Sequence, residues 1–348
     1  MPRFAGSAEE SSARASCRDE LTRLGFECRE ISFEFSEWPG RWGPMNVAAA
    51  QAVTIVLVAR TAVSVGPLVA LVCGATLIAA LFLVLGDAKR RWTSDFRFMR
   101  ARSVNLEARR GSPKLWLVAH LDSKGQTIPM LVRISGSVIQ AIVAAVALGM
   151  LVYALAGVVF SARAWESLQV AAVIAAVPTL LCWVRNDSHG ALDNATGVVA
   201  VLLAARALAD VRNVGVLLTS GEELGLAGAR NWAVRAPRDI TALNSDTFDD
   251  SGTWRCMHTG NPPERLGAAV ETSASRLGFN LARGRMIPGI LADSIAFSDL
   301  GIEAVTLSRG TLSTLARIHT RRDNSAVLTG KGAADASRLL ADLARQLA

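Results

Sequence analysis

Apolar positions along the chain collect into four long runs, arranged as two pairs. The first run covers residues 47–65 and is interrupted by Gln51 and Arg60; the second, 67–86, carries no charge. The third, 137–160, is also uncharged, and the fourth, 168–184, is bracketed by Trp165 and Trp183. A helix needs roughly 20 apolar residues to cross the hydrocarbon of a bilayer. The second and third runs reach that length. The fourth is shorter but places tryptophan where an interface would lie. The first demands that Arg60 snorkel to the interface. Very short links join the members of each pair, so each pair reads as a transmembrane helical hairpin with both outer ends on one side. Burial in a soluble core is the alternative for the first and fourth runs.

The remaining sequence has the periodicities of a globular α/β unit. Residues 7–25 have helical spacing with Leu21, Leu24 and Phe26 on the apolar side, and 27–37 alternate as a strand does. Residues 104–109 and 115–119 predict two strands joined by a turn around Gly111 and Pro113. After the second hairpin come a helix at 197–209, a buried strand at 214–219, a helix at 226–234 and a strand at 240–245. Residues 273–277 lie in a helix, 304–307 read as a strand, and 333–347 form the closing helix. Strands alternating with helices predict the α/β class, a sheet covered by helices on both faces.

Composition sharpens this picture. Of 348 residues, 51% are hydrophobic but only 6% aromatic, and 19% are charged against a usual figure of about 25%. An aliphatic excess of this size excludes intrinsic disorder and a small disulfide scaffold, and supports membrane helices. The 37 Lys+Arg against 30 Asp+Glu give a net charge of +7. The basic residues are dispersed or flank apolar runs. Lys89, Arg90 and Arg91, like Arg321 and Arg322, lack the interleaved aromatics that base stacking uses, so nucleic acid is not an expected partner. Arg41, Lys89, Arg90, Arg91, Arg133 and Arg185 sit at the outer ends of the hairpins, against Arg60 and Arg163 at the tips. The positive-inside rule then places the globular part in the cytoplasm, with four helices in the cell membrane. Five cysteines without ligand spacing read as reduced thiols, and the first residues lack the apolar core of a cleavable signal peptide.

Chemistry concentrates at the ends of predicted strands. WLVAHLDSKG carries His120 and Asp122, SHGALDNATG carries Asp193, and TSGEELGLAG carries Glu222 and Glu223. LNSDTF carries Asp246, and ARIHTRRD carries His319 in a late loop. Carboxyl ends of strands are where an α/β sheet gathers groups from distant parts of a chain. Each motif alone is weak, since His-x-Asp and Glu-Glu pairs are common in ordinary folds. In this order and with these flanks they resemble metallopeptidase family 28, the zinc aminopeptidases of the bacterial leucyl type. That family carries H-x-D, GA-x-DN-x-[ST]-G, EE-x-G-x-x-G, a strand-end Asp and I-H-T-x-x-D. ADSIAFSDLGIEAVTL matches a further segment, with Glu303 where proline is usual.

The resemblance implies a zinc-peptidase-like mixed sheet between helices, with the two hairpins inserted into its loops. The peptidase domain would comprise residues 1–43, 89–132 and 186–348, and the hairpins 44–88 and 133–185. His120 and Asp193 are 73 residues apart because the second hairpin lies between them. The resemblance assigns His120 and Asp246 to one zinc, Glu223 and His319 to a second, and Asp193 as the bridge. Three carboxylates and a bridging hydroxide would balance two Zn2+. Glu222 is left as general base and then acid, and Asp122 as the carboxylate that orients a ligating imidazole. A cis peptide at Asp193–Asn194 is a further implication. His189 reads as a loop residue near the mouth, and His258 as structural. The expected activity is removal of N-terminal residues from peptides with a free amine. Two rivals stay open: a single-zinc cyclotransferase of the glutaminyl type, and a non-catalytic membrane scaffold. A transporter is disfavoured, because the apolar runs hold almost no ionisable side chains.

Overall fold

The computed structural model describes residues 1–91, 98–287 and 289–347. The chain divides into two compact units. One comprises Met1–Glu37, Phe96–Gln126 and Arg185–Ala348; the other comprises Trp38–Asp95 and Thr127–Val184.

The first unit is built on a mixed sheet of eight strands among the described residues. In chain order these are β1 (Glu27–Ser36), β2 (Arg100–Arg109), β3 (Leu115–His120), β4 (Val214–Thr219), β5 (Thr241–Phe248), β6 (Thr253–His258), β7 (Leu281–Arg285) and β8 (Glu303–Gly310). Their spatial order is β1-β2-β4-β3-β5-β8-β6-β7. Strands β4, β3, β5 and β8 run parallel to their neighbours, while β1 pairs antiparallel with β2, β2 with β4, and β8 with β6. LWLVAH and VGVLLT are buried at every position, as central strands covered on both faces must be.

Alternation along β3 sorts its side chains into two layers. Leu115, Leu117 and Ala119 join Leu21, Val201, Leu339 and Leu343 from the helices Ala8–Arg23, Thr196–Ala207 and Lys331–Leu347. Trp116 and Val118 point the other way, against Trp232 and Phe297 of the helices Ala227–Arg235 and Ser294–Ser298. Trp116 meets Trp232 edge-on at 4.7 Å between centroids. Its partner in register on β4 is Gly215, where a Cβ would lie 2.5 Å from the indole, so glycine is required. The predicted elements at 7–25, 27–37, 104–109, 115–119, 197–209, 214–219, 226–234, 240–245, 304–307 and 333–347 all have observed counterparts within a few residues. Strands β6 and β7 are additions. TWRCMH alternates exposed Arg255 between buried Trp254 and Cys256, and LARGR, at the edge of the sheet, carries two arginines.

The second unit holds the helices Trp38–Ser64, Pro67–Arg91, Met130–Leu155 and Ala162–Leu180. Among the described residues, two are long and apolar enough to cross a membrane: Trp38–Ser64 and Met130–Leu155. Of the four expected spans, these two meet the length and apolarity a crossing needs. The run containing Arg60 lies in the helix Trp38–Ser64, with Arg60 exposed near the helix end. The second run contributes the shorter apolar segment Pro67–Leu81. Arg163, Glu166 and Gln169 lower the hydropathy of the helix holding the fourth. The side chains of Lys89, Arg90 and Arg91, on which the expected orientation leans, lie outside the described residues.

Packing in this unit mixes small and large side chains inside, with Ile55, Leu151, Trp165 and Leu168 buried, and leaves a large aliphatic surface outside. Small residues lie inside, among them Ala48, Ala52, Ala59, Ala70, Ala147, Ala172 and Ala176. Val53, Leu57, Ile139, Ile142, Val146 and Ile174 are exposed. Only 28% and 22% of the most apolar windows of Trp38–Ser64 and Met130–Leu155 are buried, far less than a soluble core helix requires. Gln140, buried inside, donates its Nε2 to Ala48 O at 2.7 Å, a polar link between helices.

Candidate metal centre

All seven predicted site residues lie in the first unit: His120, Asp122, Glu222, Glu223 and Asp246 in or just after its parallel strands, Asp193 in the turn before the helix Thr196–Ala207, and His319 in the loop after the helix Leu312–Arg317. His120 is the last residue of β3, and its imidazole is held from behind: Nδ1 donates to Asp122 O at 3.0 Å. A carbonyl only accepts, so Nδ1 carries a proton, and Nε2 is the nitrogen that faces the carboxylates and could ligate a metal. The carboxylate of Asp122 faces the same imidazole and has a second task. Its Oδ1 lies 3.6 Å from Nδ1, while Oδ1 and Oδ2 accept the main-chain N–H groups of Glu222 and Glu223, each at 3.2 Å. Asp122 thus fixes the loop that follows β4.

Asp193 sits after Gly190, and the Asp193–Asn194 peptide is cis. Its two oxygens face different histidines. Oδ1 is 3.1 Å from His120 Nε2, and Oδ2 is 3.0 Å from His319 Nε2. Asp246 Oδ1 is 3.9 Å from His120 Nε2, and Glu223 Oε2 is 3.1 Å from His319 Nε2. Glu222 Oε2 is 4.0 Å from His120 Nε2. Two groups result whose donor atoms all lie within 4.8 Å of one another: His120, Asp193 and Asp246, and then Asp193, Glu223 and His319.

The donor chemistry fits metal ions. His120 Nε2, His319 Nε2 and Glu223 Oε1 are buried with no hydrogen bond satisfied, although carboxylate oxygens stand close to both nitrogens. Short but misaligned contacts of this kind are what a cation between the groups would explain. His319 also adopts φ +61°, a left-handed conformation that costs a non-glycine residue energy.

The electrostatics point the same way. Burial and the like charges of Glu223, Asp246 and Asp293 push Glu222 well above the usual carboxylate range. Burial and the charge of Asp193 likewise raise Asp246. Asp193 is held below that range, because the two imidazoles outweigh its burial. Burial acts to lower both histidines, yet the surrounding carboxylates raise them. So many buried acids in contact require cations for all of them to ionise.

Several participants were not singled out from sequence. Lys124 Nζ contacts Glu223 Oε2 at 2.8 Å and donates to Glu223 O at 3.1 Å. It stands in HLDSKG, but lysine beside an acidic motif is too common to read. Asp323, the last residue of IHTRRD, accepts Leu192 N at 2.6 Å and Asp193 N at 3.2 Å. Burial pushes its carboxyl up to about 7 despite those donors. Asp293, from ADSIAF, accepts from Thr219 Oγ1 at 2.5 Å, and burial raises it to about 7 as well. His189 is exposed, and His258 is buried on β6 outside both groups.

A mixed α/β sheet that gathers two His and carboxylate groups able to hold metal ions is the arrangement of a metal-dependent hydrolase. The model of peptidase family M28 matches residues 104–344, and the chain belongs to that family. Comparison with curated protein sequences gave no match. Among solved structures, the chain is similar to an aminopeptidase from Aneurinibacillus sp. strain AM-1 (TM-score 0.57, 13% identity, 99% of this chain and 90% of that one). It is equally similar to BSAP, a zinc aminopeptidase from Bacillus subtilis (0.57, 13%, 99% and 90%). Glutaminyl cyclase from Porphyromonas gingivalis is also similar (0.55, 13%, 100% and 93%). At these identities the likeness is one of fold.

Proposed function

We propose that the first unit is a two-zinc aminopeptidase acting on peptides with a free N-terminus. The observation that carries this reading is the placement of Asp193, whose two oxygens face His120 and His319 at 3.1 and 3.0 Å. His120, Asp193 and Asp246 would hold one Zn2+, and Asp193, Glu223 and His319 the other. Metals bound there would polarise the scissile carbonyl and make water nucleophilic at neutral pH. Glu222, not needed as a ligand, takes the proton from the attacking water and returns it to the leaving amine. Burial and the neighbouring carboxylates raise its carboxyl above the usual range, the direction a proton shuttle needs. Asp122 orients the Glu222–Glu223 loop by its two N–H contacts and His120 by its carbonyl. Retention of all five ligands with Glu222 speaks against a non-catalytic scaffold.

The second unit serves as a membrane anchor in this reading, formed by two inserted hairpins with the peptidase unit on the cytoplasmic side. Support comes from the two span-length helices, the exposed aliphatic faces and the small residues inside.

The glutaminyl cyclase likeness favours a second reading of the same centre, so one assay pair separates them. Purified protein should release chromophore from α-aminoacyl substrates, lose this with chelator and regain it with Zn2+. Cyclisation of N-terminal glutamine without any aminoacyl hydrolysis would replace the aminopeptidase reading with the cyclase one.

A further inference from the structure

The two loops that carry His120 and Asp193 are tied together by a residue at the far start of the chain. Arg3 Nε donates to Leu121 O at 2.9 Å, immediately after His120. Its Nη1 donates to His189 O at 2.7 Å and its Nη2 to Gly190 O at 3.0 Å, just ahead of Asp193. The main chain of Arg3 completes the clamp. Arg3 N donates to Ser123 Oγ at 2.9 Å, and Ser123 N donates to Arg3 O at 2.9 Å. Ser123 Oγ passes the link on to Ser188 O at 3.2 Å.

We propose that Arg3 is a positioning residue of the metal centre, a strap that sets the separation of the His120 and Asp193 loops. Three features support this. All three acceptors of the guanidinium are main-chain carbonyls of loop residues, of which Gly190 O also accepts Ala195 N at 2.9 Å, so the hydrogen bonds recognise loop shape. The planar guanidinium fork delivers three N–H groups in fixed directions, which a lysine ammonium cannot reproduce. The loops are also packed without slack where the strap holds them. Gly190 has φ +57°, and a Cβ there would lie 2.4 Å from both Ser123 Cβ and Asp193 O. Arg3 donates no hydrogen bond to a ligand side chain, while its charge acts on Asp122, Asp323 and Asp193, so Arg3→Lys, which keeps the charge but loses the fork, isolates the backbone effect. In a catalytic centre a loop shift of about 1 Å is costly.

The inference rests on the metal-centre reading, and its test has an arm that does not. Arg3→Lys and Arg3→Gln are compared with the wild type and with Arg29→Ala, an exposed control on β1, in the full-length protein. Amide hydrogen exchange is measured first on metal-free protein. The strap account expects faster exchange at residues 121–124 and 188–195 in both Arg3 variants, with β3 and β4 unchanged. Chelator competition should then show Zn2+ held about tenfold or more weakly in both variants, the size of effect typical of groups that orient ligands. Aminoacyl hydrolysis should lose kcat more than KM. Rescue by lysine would mean that charge alone matters. Unchanged local exchange, or faster exchange throughout the sheet, would overturn the strap. Altered exchange in a protein that binds no zinc would retain the strap and overturn the metal reading.

Discussion

Asp323 holds Asp193 by its main chain: Oδ2 of the first accepts N–H of the second at 3.2 Å, while Oδ1 takes the N–H of Leu192 at 2.6 Å. Both donors are buried, so a side chain with a single acceptor oxygen must leave one unpaired. Asp323→Asn is therefore expected to fold but to bind Zn2+ about tenfold or more weakly, read by chelator competition. Affinity equal to the wild type would show that this carboxylate does not set the position of Asp193.

Glu222 and Glu223 are adjacent but face different tasks. Glu222→Gln keeps shape and leaves every proposed ligand in place. Metal content should match the wild type, with kcat lower by about 10²–10⁴ for aminoacyl substrates. Near-normal turnover would remove Glu222 from the proton path.

The pair formed by Lys124 and Glu223 makes stability depend on metal. Lys124→Met leaves Glu223 buried without its ammonium, which in a metal-free site costs on the order of 3–5 kcal/mol. A bound cation restores a counter-charge. The variant should thus melt well below the wild type without metal and much closer to it with Zn2+, a larger zinc-induced rise in Tm. Equal rises in both proteins would mean that Lys124 does not compensate the charge of Glu223.

Much of this was legible in the sequence because it depends on local pattern. The all-apolar runs at β3 and β4 announce central strands, and the spacing of Leu339, Leu340 and Leu343 announces the closing helix. His120, Asp193, Glu223, Asp246 and His319 stood out through the order of their motifs. What escaped reading depends on contacts between residues far apart in the chain. Arg3 reaches carbonyls 118 to 187 positions away. Beside its expected contact with the imidazole, the carboxylate of Asp122 also accepts the Glu222 and Glu223 amides, a link that two residues of spacing cannot specify. The apolar runs were visible as runs, but helix starts were not. Trp38 opens its helix through a stretch containing Pro39, Gly40 and Pro44, residues that normally argue against helix.

The membrane reading makes a separable claim about sidedness. A reporter active only in the cytoplasm, fused after Ala348, should be active, and an extracytoplasmic reporter at the same position silent. The opposite pair of results would invert the proposed topology and make external peptides the substrates.

The central claim is that Asp193 joins two metal positions. Zinc content of the purified chain tests it most directly. About two Zn2+ per chain are expected in the wild type, about one in Asp246→Ala, and none retained in Asp193→Ala, the only shared ligand. A wild-type content near one that Asp246→Ala leaves unchanged would contradict the two-metal centre.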